Sequence, residues 1–480
     1  MSGDPKIEAT AVAKTKEDTN KVDIKAMRQF VEIKGGIENE IYNPENATTY
    51  FYREVRRSVP FIKVPEIIKP NGSVNFGGQC QFNIPRCGDY LLNLTLYIEI
   101  PKIELNITET AAVPGGAAAS LHRVGWVKNL AHQLVKEIKL NIDDTTVVNI
   151  DTAFLDMWSE FMTDNGKFDG YKEMIGGSKE LWDLDDKVAG AGTIILPLPL
   201  FFSRDSGLAL PLSSLISSDI SVEVLLRKWD EVLLLEDINN SKNKVIKADD
   251  IKDGEPKLTS IKLIGTYAVA SKYEVNKTRC DDRRMLIEKP FKASEYELPV
   301  FDSGKLDEPI PINMEKINGA IKALFFAVKN TSRSNEHSVY KVGLPIPGTL
   351  RIDGGSLHAL SEIGINLAEH VFVPSLPIEY YSYQQPYEHA KRIPNNRDLF
   401  MYSFCLDVGD VDPMGSINPK LLAKRLTFQI KPTKDLAEAT KNKQTFKFIT
   451  YALCNRLVSI RQGKFTLLSQ SMYGEDGEDE

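Results

Sequence analysis

No stretch of this chain stays apolar for long enough to cross a bilayer as a helix, which takes about 20 residues. The longest apolar run, Ile194 to Phe202, reads IILPLPLFF and is interrupted by two prolines. Cysteine is scarce. Five residues (Cys80, Cys87, Cys280, Cys405, Cys454) make an odd count, at spacings that fit neither a disulfide framework nor a zinc site. Reduced thiols in a reducing compartment are the expectation. Six histidines (His122, His132, His337, His358, His370, His389) are scattered, with no His-x-His or His-Glu-x-x-His. No metal site or cofactor is therefore expected. A P-loop, a Gly-x-Gly-x-x-Gly turn and a Gly-x-Ser-x-Gly elbow are all missing. The opening MSGDPKIEATAVAKTKEDTN has no basic start followed by an apolar core, so no secretory signal is expected. The sequons at Asn46, Asn93 and Asn330 then read as chance matches.

Basic charge is also short. The chain carries a net −7, and its first 45 residues hold seven basic against nine acidic side chains, about −2. A protein that packages nucleic acid neutralises phosphates with lysine and arginine. No basic arm or patch is visible here, so direct nucleic-acid binding is not expected. The segment Tyr473 to Glu480 is acidic. In bulk the chain is ordinary: 42% hydrophobic residues suffice for sizeable cores in two or three domains.

The first 45 residues read as a polar arm, with a short helix near Lys25 to Val31. Strand patterning follows. Leu92, Leu94, Leu96, Ile98 and Ile100 alternate with polar or amphipathic neighbours, the period of a strand with one face on a core. Ile138, Leu140 and Ile142 do the same and run into an Asp143-Asp144 turn; Ile220, Val222, Val224 and Leu226 continue the theme. Beyond residue 285, Phe400, Tyr402, Phe404 and Leu406 form one alternating set and Leu426, Phe428 and Ile430 another. Met285 to Pro290 reads as a short linker between two halves of similar size. One segment keeps helical spacing instead: Phe154, Leu155, Trp158, Phe161 and Met162 predict an amphipathic helix laid on a sheet, with Trp158 in a core role.

Chemistry is hard to find. Asp407 with Asp410, and Asp143 with Asp144, are carboxylate pairs of the kind a glycosidase needs. Both sit where turns favour aspartate, and a turn role is the expectation. The cluster Glu379-Tyr-Tyr-Ser-Tyr383 with Gln384-Gln-Pro-Tyr387 would suit a sugar-binding or protein-binding platform, or a packed strand edge. A carbohydrate-binding or carbohydrate-active β-sandwich is thus one alternative reading.

A second reading rests on blocks that follow one another along nearly the whole chain. They are Thr49 to Phe61, Phe76-Gly-Gly78, Ile84 to Leu94, Asn129 to Leu140, Asp156-Met-Trp-Ser-Glu160 with Gly170 to Gly176, and Tyr273 to Arg284. In the second half come Gln385 to His389, Arg392-Ile-Pro394, Phe400 to Leu406 and Pro413 to Pro419. The most specific is Leu196-Pro-Leu-Pro-Leu-Phe-Phe-Ser-Arg-Asp-Ser-Gly-Leu-Ala-Leu-Pro-Leu212, in which Asp205 stands where an asparagine is usual. Together these resemble the major capsid proteins of nucleocytoplasmic large DNA viruses.

The resemblance implies an all-β double jelly roll, two eight-stranded antiparallel barrels in one chain, with the short helix as an insertion. The expected division is an N-terminal arm over 1–45, a first jelly roll over 46–284 and a second over 285–480 with the acidic segment. It implies a structural protein and no enzyme, with no catalytic, cofactor or metal residues. Three chains would form a pseudo-hexagonal capsomer of an icosahedral shell. Partners would be neighbouring capsomers, minor capsid and penton proteins, and an inner membrane or inner-shell proteins. The protein would reside in the virion, after assembly in host cytoplasm at virus factories. Tyr50 to Phe61 is expected to open and close the first barrel, and Gly207 to Leu212 to pack near a barrel rim. Pro413 to Pro419 should form a turn, with Gly415 supplying unusual backbone angles and Asn418 capping.

Overall fold

In the computed structural model the described residues are 24–32, 51–52, 57–106, 122–177, 181, 188–237, 242–243, 246–280, 282–301, 304, 306–314, 317, 319–332, 335–342, 358–368, 370–419 and 425–468. The chain falls into two units, 1–58 and 59–480. In the first unit Ile24–Glu32 forms a helix, close to the expected one.

The second unit begins with β1 (Phe61–Ile68), β2 (Gln79–Asn83), β3 (Tyr90–Ile100), β4 (Ile103–Glu104), β5 (His122–Trp126), β6 (Val135–Ile142) and β7 (Thr145–Asp151). It continues with β8 (Val188–Ala189), β9 (Gly192–Pro197), β10 (Leu210–Pro211), β11 (Ile220–Leu226), β12 (Leu233–Asp237), β13 (Lys242–Asn243) and β14 (Ser260–Ala270). One sheet has the order β1-β14-β3-β10, with β9 taking the rest of the β3 edge. The facing sheet is β2-β11-β6-β7. With β9 and β10 counted as one interrupted strand, the eight long strands lie in the order 1-8-3-6 over 2-7-4-5, which is a jelly roll.

The same order returns in β15 (Arg283–Glu297), β16 (Ile310–Asn313), β17 (Ala320–Asn330), β18 (Leu360–Leu367), β19 (His370–Pro377), β20 (Leu399–Ser403), β21 (Leu426–Pro432) and β22 (Phe446–Arg461). Here the sheets are β15-β22-β17-β20 and β16-β21-β18-β19, and β23 (Lys464–Leu467) adds to β22. The fold is a double jelly roll.

Alternation builds the solvent-facing sheets as expected. In β11 and β21 every second side chain is buried. In β3 the phase slips: Leu91, not Leu92, is buried beside Leu94, Leu96 and Ile98. A bulge against β14 between Thr266 and Tyr267 shifts the register there and turns Leu92 outward. The two-residue turn after β6 is made by Asp143, whose φ is 53°, a conformation that aspartate tolerates.

Four expectations are corrected. The opening strand starts only at Phe61, behind Pro60, and the described residues 57–60 of that block are not strand, because the partner β14 ends at Ala270, opposite Phe61. Tyr50 lies outside the described residues. Met285 to Pro290 is no linker but part of the 15-residue β15, with Met285 and Ile287 buried. Pro290 is tolerated because β15 is an edge strand. The covalent link is instead the helix Lys272–Cys280. The strand expected over Phe400 to Leu406 stops at Ser403; beyond it the chain bends and Leu406 is exposed. The helix Thr152–Met162 is not amphipathic in its setting, because nine of its eleven residues are buried. Asp151 caps it, its Oδ1 accepting from the Phe154 N–H at 3.0 Å. Trp158 is only half-buried, stacked on Phe154 at 5.6 Å.

The reason for that burial is the place of the second barrel. Its sheet β15-β22-β17-β20 has two covered faces. From β17, Leu324, Phe326 and Val328 point into the second core, while Ala323, Phe325 and Ala327 belong to the core of the first barrel. Phe325 meets Phe161 at 5.5 Å and Phe154 at 6.5 Å, so the helix is wedged between the barrels.

Candidate functional site: the joint and the exposed edges

The packing of one barrel on the other forces several polar groups together. Glu288, on the inner face of β15, is buried. It pairs with Arg204, from the loop after β9, and with Lys322 of β17 at 2.6 Å. Lys322 is fully buried and also donates to the Asp410 carbonyl. Arg204 further donates to the carbonyls of Val408 and Gly409 at 3.0 and 3.1 Å, and lies over the Trp158 ring. Burial pushes the Arg204 guanidinium down to about 10, against the pull of Asp407 and Asp410. Lys322 is lowered as well, chiefly by burial and then by the nearby Arg204.

Three more contacts cross the joint. Arg392 donates to Glu160 twice, at 2.9 Å to its carbonyl and 2.6 Å to its carboxylate, and covers the Phe168 ring. Tyr451 donates to the Asp151 carboxylate at 2.5 Å. Tyr340 donates to Asp156 at 2.8 Å, while the other Asp156 oxygen lies 2.7 Å from His132 Nδ1. His132 Nε2 meets the Tyr171 hydroxyl at 2.8 Å. An Asp-His pair of this kind suggests base chemistry, but both residues are sealed in the interior, where no substrate reaches. Its physical work is to satisfy polar groups between the barrels. Beside it the His337 N–H donates to Gln133 at 2.6 Å. Burial, with Arg227 and Lys329 nearby, drives the His337 imidazole down to about 3.

The carboxylate pairs named from the sequence are turn makers. Asp407 accepts from the Gly409 N–H at 2.6 Å, Asp410 from Asp412 at 3.1 Å, and Asp143 from Asp219 at 2.9 Å. The tyrosine cluster divides. Tyr381 is buried against Phe326, with its hydroxyl on the Ile363 carbonyl. Tyr380, Tyr383 and Tyr387 line an open groove of about 660 Å³ with Leu376, Pro377 and Ile393. Gly415 has φ 129°, and a Cβ there would lie 2.7 Å from the Phe404 carbonyl. Asn418 does not cap: both its amide atoms are buried without a hydrogen-bond partner among the described residues. Gly207 and Leu208 sit in a tight turn capped by Asp205, at 2.6 Å, and Leu210 to Leu212 are buried.

Among the described residues no group of three His, Cys, Asp or Glu side chains is placed to hold a metal, and no helix is long and apolar enough to cross a membrane. Cys80, Cys87, Cys405 and Cys454 are free thiols, and burial pushes Cys80 and Cys454 up to about 12.

The outer edge is unusual. β1 borders its sheet, and Phe61, Ile62 and Ile67 are more than half exposed on it (62%, 64% and 58%). On the second barrel the edge strand β19 exposes Val371 and Phe372.

Two jelly rolls of identical order, fused in one chain and locked by buried ion pairs, define the double jelly-roll class. Comparison with known proteins then gives the particular family. Residues 49–269 match the family "Major capsid protein N-terminus", and residues 252–465 match "Large eukaryotic DNA virus major capsid protein". The major capsid protein of Spodoptera frugiperda ascovirus 1a is 34% identical over 445 residues, 91% of this chain and 93% of that protein. That of Heliothis virescens ascovirus 3e is 35% identical over 450 residues, 92% of this chain and 95% of its own. In fold, the chain is similar to the PBCV-1 protein VP54, with a TM-score of 0.68 at 17% identity over 87% of this chain and 99% of that one. The chain belongs to the major capsid protein family of large eukaryotic DNA viruses.

Proposed function

We propose that three copies of this chain form a homotrimeric, pseudo-hexagonal capsomer, and that such capsomers tile an icosahedral shell. The observation that carries the reading is the exposed apolar edge β1 on a chain of two rigidly locked barrels. Monomers rarely expose adjoining large apolar side chains along a sheet edge, which otherwise invites pairing. Each chain supplies two similar barrels, so three supply the six corners of a hexagon. A three-fold ring closes through head-to-tail contacts between unlike surfaces, and the β1 edge of one copy against the second barrel of the next is such a contact.

The two ends of the first barrel differ in a way that suits a shell. The connections 84–89, 143–144 and 212–219 are short and share the end where β1 starts and β14 stops. The long connections 101–134, 152–191 and 227–259 begin and finish on strands at the other end. We assign the long end to the outside of the particle and the short end to the inner layer. We retain a three-part division into an arm, a first jelly roll and a second, with the helix Lys272–Cys280 as the link between the barrels. Minor capsid and penton proteins and an inner membrane or inner shell are the further partners. The role is structural and not enzymatic, in a virion assembled in host cytoplasm at virus factories.

The test is the mass of the purified chain in solution by light scattering. Trimers support the reading, and Ile62→Lys with Ile67→Lys should release folded monomers. A wild-type monomer at high concentration removes it.

A further inference from the structure

The sequence shows no basic patch, but the fold assembles one. At the short-loop end, a groove of about 720 Å³ is lined by Phe61, Tyr90, Tyr273, Lys277, Arg283 and Arg284, and also by the acids Glu274 and Asp282. Both acids are engaged: the Tyr90 hydroxyl donates to Glu274 at 3.3 Å, and Arg461 pairs with Asp282 at 3.4 Å. Lys277 and Arg284 are exposed and form no ion pair among the described residues. Lys272 and Arg279, on the same helix as Lys277, add exposed positive charge. A net positive groove on a chain of net charge −7 suits an acidic ligand.

We propose that this groove binds the acidic segment Glu475-Asp-Gly-Glu-Asp-Glu480 of the same chain. Five of those six residues are acidic. Connectivity places the segment within reach. Arg284, Ser459 and Thr466 lie on one rung of the sheet, since Ser459 pairs with both. Thr466 is therefore about 10 Å from Arg284, two strand spacings away. Residues 469–474 span up to about 20 Å when extended, so the acidic run reaches the groove without leaving its own subunit. Phe61 and Tyr273 give the groove an apolar wall beside its basic side chains. The reading does not depend on shell formation and is tested on the dissolved full-length chain.

The experiment is hydrogen exchange of Lys272–Cys280 and Arg283–Met285, combined with carbodiimide cross-linking read by mass spectrometry. The wild type should give an amide between Lys277 and one of residues 475–480. Exchange in the helix should rise about tenfold in E475Q/D476N/E478Q/D479N/E480Q, in K277E/R284E, and in wild type at 1 M salt, where screening shortens to about 3 Å. Unchanged exchange in both variants overturns the proposal, as do cross-links from the acidic run only to other lysines. Mixing isotope-labelled and unlabelled chains adds a further check: mixed-isotope cross-links would place the segment on a neighbouring copy and overturn the assignment. Anionic phosphatidylserine vesicles should bind the neutralised-segment variant more tightly than wild type. Equal binding would mean that the groove stands open, and would also overturn it.

Discussion

Glu288 holds two cations at the joint, and its charge is the one that pairs directly with both Arg204 and Lys322 in their buried setting. Replacing it with glutamine leaves both facing a neutral group. The expected cost is about 3–5 kcal/mol, the range for an uncompensated buried charge, read as a lower urea midpoint. His337 adds a pH dependence whose sign is fixed. Its folded pKa of about 3 lies below its ordinary 6.5, so the unfolded chain takes up the proton first. Stability is then full above pH 6.5 and falls as pH drops from 6.5 toward 3. Melting curves between pH 7.5 and 4.5 should show that slope, and His337→Gln should flatten it. An unchanged slope would show that other groups carry it. None of these residues announced its role in the sequence. Glu288, Lys322 and Arg204 lie on separate elements, and their meeting is set by how one barrel packs on the other.

Among the elements, legibility followed exposure. β11 and β21 face solvent on one side, so their alternation was plain. β17 is buried on both faces and reads as a nearly continuous apolar run, which carries no period. For the same reason the helix Thr152–Met162 looked amphipathic while both its sides are covered. The wedge it forms makes a separable prediction. Phe325→Ala should cost about 3–5 kcal/mol and loosen the joint, so that limited proteolysis cuts faster in the linking helix Lys272–Cys280. Phe326→Ala removes a ring from the second core instead, and its cuts should fall within the second barrel. Identical cleavage patterns would mean that the two barrels unfold as one. Asn418 shows the limit of turn chemistry: the Gly415 conformation was legible from the residue type, but the asparagine's lack of a partner among the described residues was not.

At the scale of the molecule, the family blocks supplied the double barrel, while composition and periodicity alone reached only a two-part β protein. The basic groove was invisible because it gathers residues from distant segments, and the exposed β1 edge because its exposure follows from β1 having a partner strand on one side only. Assembly is where the account stands or falls. The decisive measurement is the solution mass of the full chain by light scattering over a concentration series, for wild type and for Ile62→Lys with Ile67→Lys. The account predicts a wild-type mass three times that of the 53.8 kDa chain, and a folded variant at one chain mass. A wild-type protein that stays at one chain mass at every concentration, or a variant that still forms trimers, would contradict it.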